Sequence, residues 1–111
     1  MLAALRDLDE GRPDLLAELI AVYLRDTPPR LAALHEAVAH ADAEALRRAA
    51  HSLKGSSSQI GAVQVARLCA DLEHQAGTTD LLGATETLRQ LDEAFGRVRA
   101  HLQALAAGRS D

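Results

Sequence analysis

Apolar residues recur along this chain at intervals of three and four, a spacing that places them on one face of successive α-helices. Leu2, Leu5 and Leu8 at spacing three predict a short helix over residues 2–9, closed off by Gly11. Pro13 followed by Asp14 opens a second helix, in the first turn that proline tolerates. Leu15, Leu16, Leu19, Ile20, Tyr23 and Leu24 give it a wide apolar face, and it ends near Asp26. Thr27 before Pro28-Pro29 reads as the N-cap and first turn of a further helix, carried to about residue 41 by Leu31, Leu34, Val38 and Ala41. Asp42 is the expected cap of the next, over about 43–60, which Gly61 breaks. Val65, Leu68, Cys69 and Leu72 then face inward on a helix that Gly77 should end. Thr79 or Asp80 caps the last and longest, where Leu81, Leu88, Leu91, Phe95, Val98, Leu102 and Leu105 form a seam roughly 37 Å long. Short connections imply antiparallel neighbours. The expected fold is all-α: an up-and-down antiparallel four-helix bundle with a short extra N-terminal helix as a lid.

Composition narrows this picture in three ways. The chain has 111 residues, room for one domain over 1–111, and its 48% hydrophobic residues suffice for one modest core. Tyr23 and Phe95 are its only aromatic residues, so Leu, Ala, Val and Ile must fill closely packed helices. A formal net charge of −4 argues against nucleic acid as a main partner. Cys69 is the single cysteine, excluding an internal disulfide, and on its apolar stripe it reads as a small buried hydrophobe. With no signal stretch and no membrane-length apolar run, the expectation is a cytoplasmic, monomeric domain without direct membrane contact.

The candidate chemistry lies on the central helix, in His51-Ser52-Leu53-Lys54-Gly55-Ser56-Ser57-Ser58-Gln59-Ile60-Gly61-Ala62. Helical projection gathers Leu46, Ala49, Ala50, Leu53, Ser57 and Ile60 on a buried stripe. His51 falls almost opposite, with Glu44, Arg47, Arg48, Lys54, Gly55 and Ser58, so its imidazole should stand in solvent on a basic surface. Gly55 lies one turn after His51 and costs about 1 kcal/mol against alanine in a helix interior while adding nothing to the core. A local rule broken on an exposed face suggests a site. An exposed histidine is a nucleophile whenever a ring nitrogen is neutral. Arg47, Arg48 and Lys54 lie within one turn of it, disfavour its cationic form and attract an anionic group. Phosphoryl transfer suits such a surface, because its transition state needs positioning and charge stabilisation. The missing side chain at Gly55 opens the approach of a partner's active site, and Ser58 can donate a hydrogen bond to the added oxygens. His35, His40, His74 and His101 are scattered, and Asp71-x-x-His74 occurs once, so no metal site is expected.

The run His51-x-Leu53-Lys54-Gly55-Ser56-Ser57-x-x-x-Gly61-Ala62 resembles the signature of histidine-containing phosphotransfer (HPt) domains, the intermediate carriers of multistep phosphorelays. Upstream, Leu24-x-Asp26-Thr27-Pro28-x-Arg30-Leu31-x-x-Leu34 resembles the flanking helices of bacterial members, as does the seam from Leu88 to Leu102 downstream. The resemblance covers a core of about residues 12–105. It implies a four-helix bundle, His51 phosphorylated on its outer ring nitrogen, Lys54 near the phosphoryl oxygens and Gly55 as the clearance residue. Gln59 stands where many members carry Asn.

No Walker loop, kinase Gly-rich loop or receiver-type acidic cluster is legible, so the chain is expected to be a phosphotransfer intermediate and not an enzyme with its own ATP site. The function expected is a phosphocarrier: His51 takes a phosphoryl group from a receiver-domain aspartate and passes it to another. Its partners are then response-regulator receiver domains and a hybrid sensor histidine kinase; it carries no cofactor of its own, the Mg²⁺ lying in the receiver. Arg47, Arg48, Ser58 and Gln59 are expected around the phosphoryl group. One alternative is the substrate domain of a chemotaxis-type histidine kinase, phosphorylated directly from ATP. Another is an inert helical adaptor in which His51 has no chemistry.

Overall fold

The structure is a computed structural model and describes residues 13–78 and 81–108. Four helices account for them: α1 (Pro13–Ala39), α2 (Ala43–Gln59), α3 (Val63–Thr78) and α4 (Leu81–Gly108). Each packs on its neighbour in the chain, and α4 closes the ring against α1, so the chain runs up, down, up and down. The helix expected over residues 2–9 and the caps expected at Thr79 and Asp80 lie outside the described residues.

The apolar periodicity explains the core. Leu16, Ile20, Tyr23 and Leu34 of α1 meet Leu46, Ala50 and Leu53 of α2, Val65, Cys69 and Leu72 of α3, and Leu88, Leu91, Phe95, Val98 and Leu102 of α4. The rings of Tyr23 and Phe95 meet edge to face, with centroids 6.0 Å apart.

Two expected boundaries are corrected. No helix ends near Asp26: α1 runs unbroken through Pro28 and Pro29. Both prolines stand on its exposed side, so their missing N–H groups leave the core face intact. Leu16, Ile20, Tyr23, Thr27 and Leu34 form one continuous buried stripe, and the burial of that stripe outweighs the local signal to break. Thr27 is fully buried and is not a cap; its hydroxyl donates to the Tyr23 carbonyl one turn back, at 2.6 Å. Gly77, expected to stop the helix before α4, lies inside the last turn of α3.

The ends of α2 orient the helix and are readable at the level of single hydrogen bonds. Asp42 caps it as expected, its carboxylate accepting from the Ala45 amide at 3.1 Å. At the other end Gly61, at φ 81°, takes the left-handed conformation that favours glycine. The Ala62 amide then donates to Ser57 and the Gly61 amide to Ser58, the paired bonds of a Schellman motif. Ala41 occupies the equivalent place after α1, at φ 53°, with the Asp42 and Ala41 amides donating to Ala37 and Val38.

Candidate functional site

The face of α2 opposite the core is organised as projected. Leu46, Ala50, Leu53, Ser57 and Ile60 are buried, while Glu44, Arg47, Arg48, His51, Gly55 and Ser58 are exposed and Lys54 is half-buried. The His51 side chain retains 67% of its accessible surface. A Cβ built on Gly55 would meet nothing within 4 Å, so the helix surface one turn beyond the imidazole is clear.

Neighbouring helices hold α2 in this rotation. Ser57, placed on the buried stripe by projection, is buried and also hydrogen-bonded, its hydroxyl 2.8 Å from the Tyr23 hydroxyl of α1. One residue earlier, the Ser56 hydroxyl accepts from Arg30 of α1 at 3.1 Å. Two consecutive serines thus tie α2 to α1 on the side away from His51.

The other side faces α3, where Glu73 enters the site. Its carboxylate has one oxygen 3.1 Å from His51 Nδ1 and the other 2.6 Å from Lys54 Nζ. The Lys54 ammonium, and secondarily the hydrogen bond from His51, hold this carboxyl below the usual carboxylate range against the opposing effect of burial. An ionised carboxylate only accepts hydrogen bonds, so Nδ1 carries the proton. The ring's one lone pair available for bonding is then on Nε2, the nitrogen away from Glu73.

Sequence spacing did not single out Glu73, because the contact crosses between helices. A usable signal was present: reflecting α2 through the Gly61 turn brings His51 opposite the stretch around residues 70–74. Glu73 sits there at the edge of the stripe formed by Leu68, Cys69, Leu72 and Ala76. Cys69 itself is buried as expected, and desolvation pushes its thiol up to about 12.

Other candidates lie apart from this cluster. Arg47 and Arg48, expected to reach toward the imidazole, both turn to Glu44: Arg47 Nη2 approaches it to 2.6 Å and Arg48 Nε to 3.9 Å. Ser58 stays exposed, and no hydrogen bond among the described residues joins its side chain to His51. Gln59 lies on the α1 side of α2, where with Leu19, Val22 and Arg30 it lines a cleft of about 170 Å³. Among the described residues no three potential ligands come together to hold a metal ion, and no helix is long and apolar enough to cross a membrane.

Fold and site together define a class: an antiparallel four-helix bundle carrying a solvent-facing histidine that is held through one ring nitrogen and open at the other. Comparison with known proteins makes this particular. The Hpt domain family matches residues 18–108, and the chain belongs to that family. The crystal structure of histidine-containing phosphotransfer protein B from Pseudomonas aeruginosa PAO1 superposes with a TM-score of 0.87 at 36% identity, covering 93% of this chain and 90% of that one. Among curated proteins the chain is similar to histidine-containing phosphotransfer proteins 5 and 2 of Arabidopsis thaliana. It is 28% identical to the first over 100 residues and 26% identical to the second over 98, covering 87% and 86% of this chain. It spans less than two thirds of the length of those two relatives, 64% and 63%.

Proposed function

We propose that this chain is a histidine phosphocarrier of a multistep His–Asp phosphorelay: His51 accepts a phosphoryl group from a receiver-domain aspartate and delivers it to another. The observation that carries this reading is the state of the imidazole. Nδ1 is engaged by Glu73 at 3.1 Å while the ring stays largely exposed beside a helix surface cleared at Gly55. Nε2 is therefore the nucleophile, and it can meet phosphorus in line without a side chain intervening from the turn that follows.

Lys54 supplies positive charge to the phosphoryl oxygens from a tethered position, since its ammonium is anchored on Glu73 beside the ring. Gly55 is the clearance residue. Arg47 and Arg48 act at longer range, raising local positive potential from their anchor on Glu44. Ser58 is near enough along the helix to serve an incoming oxygen, and Gln59 belongs to the surface the partner covers.

The phosphoryl group comes from a partner and not from ATP bound here, and the Mg²⁺ that assists transfer belongs to the receiver. Response-regulator receivers and a hybrid sensor histidine kinase are the partners this role requires; the carrier works as a monomer in the cytoplasm, in keeping with its one unpaired cysteine.

The test is transfer from a phosphorylated receiver, freed of ATP, to the chain and to His51→Ala. Acid-labile, alkali-stable label on the first and none on the second is expected. Label that persists in His51→Ala moves the acceptor elsewhere. A chain labelled only by a kinase holding ATP, and by no receiver, is instead the substrate domain of a chemotaxis-type kinase.

A further inference from the structure

We propose that the Glu73 carboxylate sets the position of the phosphoryl equilibrium, drawing it toward His51 and away from every aspartate with which His51 exchanges. This rests on the phosphocarrier reading above and adds to it a residue that governs retention of the group.

Charge balance carries the argument. The form of the imidazole that can attack phosphorus is neutral, with its proton on Nδ1 facing the carboxylate at 3.1 Å. On acceptance, the Nε2 lone pair forms the N–P bond, while the P–O bond of the aspartyl phosphate breaks and its electron pair stays on the aspartate carboxylate. The Nδ1 proton does not move, so the ring passes from neutral to cationic. The Glu73 carboxylate thus faces a neutral donor before transfer and a charged one after it, and the charge on the ring adds a coulombic attraction that the neutral ring lacks. Only such a difference between two states can shift an equilibrium.

The carboxylate is also held ready. Its second oxygen is paired with Lys54 at 2.6 Å, and this ammonium keeps it ionised through the working pH range. Only 20% of the Glu73 side chain is accessible, so solvent screens its charge less than it would on an open helix face. A neutral acceptor at the same place would still orient the ring through Nδ1–H but would give up most of the preference for the cationic product. Because the effect acts on the His51 side of each exchange, it applies equally to donor and recipient receivers. The carrier is thereby biased to stay loaded until a receiver with a more favourable aspartate takes the group.

Glu73→Gln separates charge from geometry, since the amide oxygen can accept the same hydrogen bond. The chain, Glu73→Gln and Glu73→Ala are each equilibrated with one phosphorylated receiver. The transfer equilibrium constant is read from the two phosphoprotein populations, and the ring tautomer from long-range proton–nitrogen NMR couplings. Glu73→Gln should keep the Nδ1–H tautomer yet lower the equilibrium constant by roughly three- to tenfold, the difference expected between a charged and a neutral hydrogen-bond partner at a partly exposed ring. Glu73→Ala should lower it as much and lose the tautomer preference as well. An unchanged equilibrium constant in Glu73→Gln overturns the proposal. Should no receiver label the wild-type chain, the phosphocarrier reading fails by itself. The equilibrium of His51 with phosphoramidate and ammonia, followed by phosphorus NMR, then reads the same shift with no partner present, and its absence in Glu73→Gln overturns the proposal independently.

Discussion

Gly55 is where stability and transfer should respond in opposite directions. It is an exposed helix-interior residue with open space where a side chain would be, so alanine there meets no clash and removes the entropy cost of glycine. Gly55→Ala should stabilise the domain by up to about 1 kcal/mol, a rise in Tm of roughly 4 °C for a domain of this size. Glutamine is a comparable helix former and should keep most of that gain. Its effect on chemistry differs because helical side chains lean toward the N-terminus of their helix, over the preceding turn. A glutamine at residue 55 leans over the turn that carries His51, into the space an incoming phosphoryl group must cross. Transfer requires reacting atoms about 3–3.5 Å apart, and a misplacement of about 1 Å can cost around 100-fold. Gly55→Gln should therefore melt at or above the wild-type temperature while transferring phosphoryl groups about 100-fold more slowly, measured by calorimetry and by rapid-quench transfer from one receiver. Wild-type transfer in Gly55→Gln would refute the clearance argument. A lowered Tm in either variant would refute the geometry, since it would mean that the added side chain meets something.

The remaining expectations concern the surroundings of α2. Lys54→Ala should slow transfer by roughly 5- to 150-fold, the equivalent of one to three kcal/mol of charge-assisted contact, with unchanged rates across several receivers arguing that the partner supplies the cation. Tyr23→Phe strands the buried Ser57 hydroxyl and should cost about 1–3 kcal/mol in chemical denaturation, whereas a neutral result would mean that water replaces the lost partner. Ala41→Gly relieves a left-handed residue after α1 and should stabilise by about 1 kcal/mol, the sign of the change being the check. Glu73 has a lowered carboxyl, so the stability it contributes is present above its unfolded value and is lost as pH falls through the lower folded value. The stability difference between wild type and Glu73→Gln should accordingly disappear once the pH falls below the folded value; a difference that persists undiminished there would reverse the assignment.

The limits of what the chain's pattern discloses follow from which interactions are local. The exposure of His51 was legible because 3.6-residue periodicity is a property of one helix, and the stripe through Leu46, Leu53 and Ile60 fixes what lies opposite. The Asp42 cap and the Gly61 stop were legible for the same reason, each involving donors and acceptors within four or five residues. The break expected at Thr27-Pro28-Pro29 was equally local, and there locality misled. Two prolines remove hydrogen bonds from the solvent side of α1, but the face they leave untouched buries Tyr23, Thr27 and Leu34, and that burial depends on the helices packed against α1. Arg47 and Arg48 stand within reach of both His51 and Glu44 by spacing alone; Glu44 holds Arg47 because it offers a bidentate acceptor the imidazole cannot provide, and its charge draws Arg48 to the same side. Glu73 is the opposite case, a residue with no local peculiarity whose importance comes entirely from the turn that folds α3 back on α2. A histidine placed by one helix is therefore given its tautomer by another, and the charge that decides how firmly it would hold a phosphoryl group lies 22 residues away in the chain.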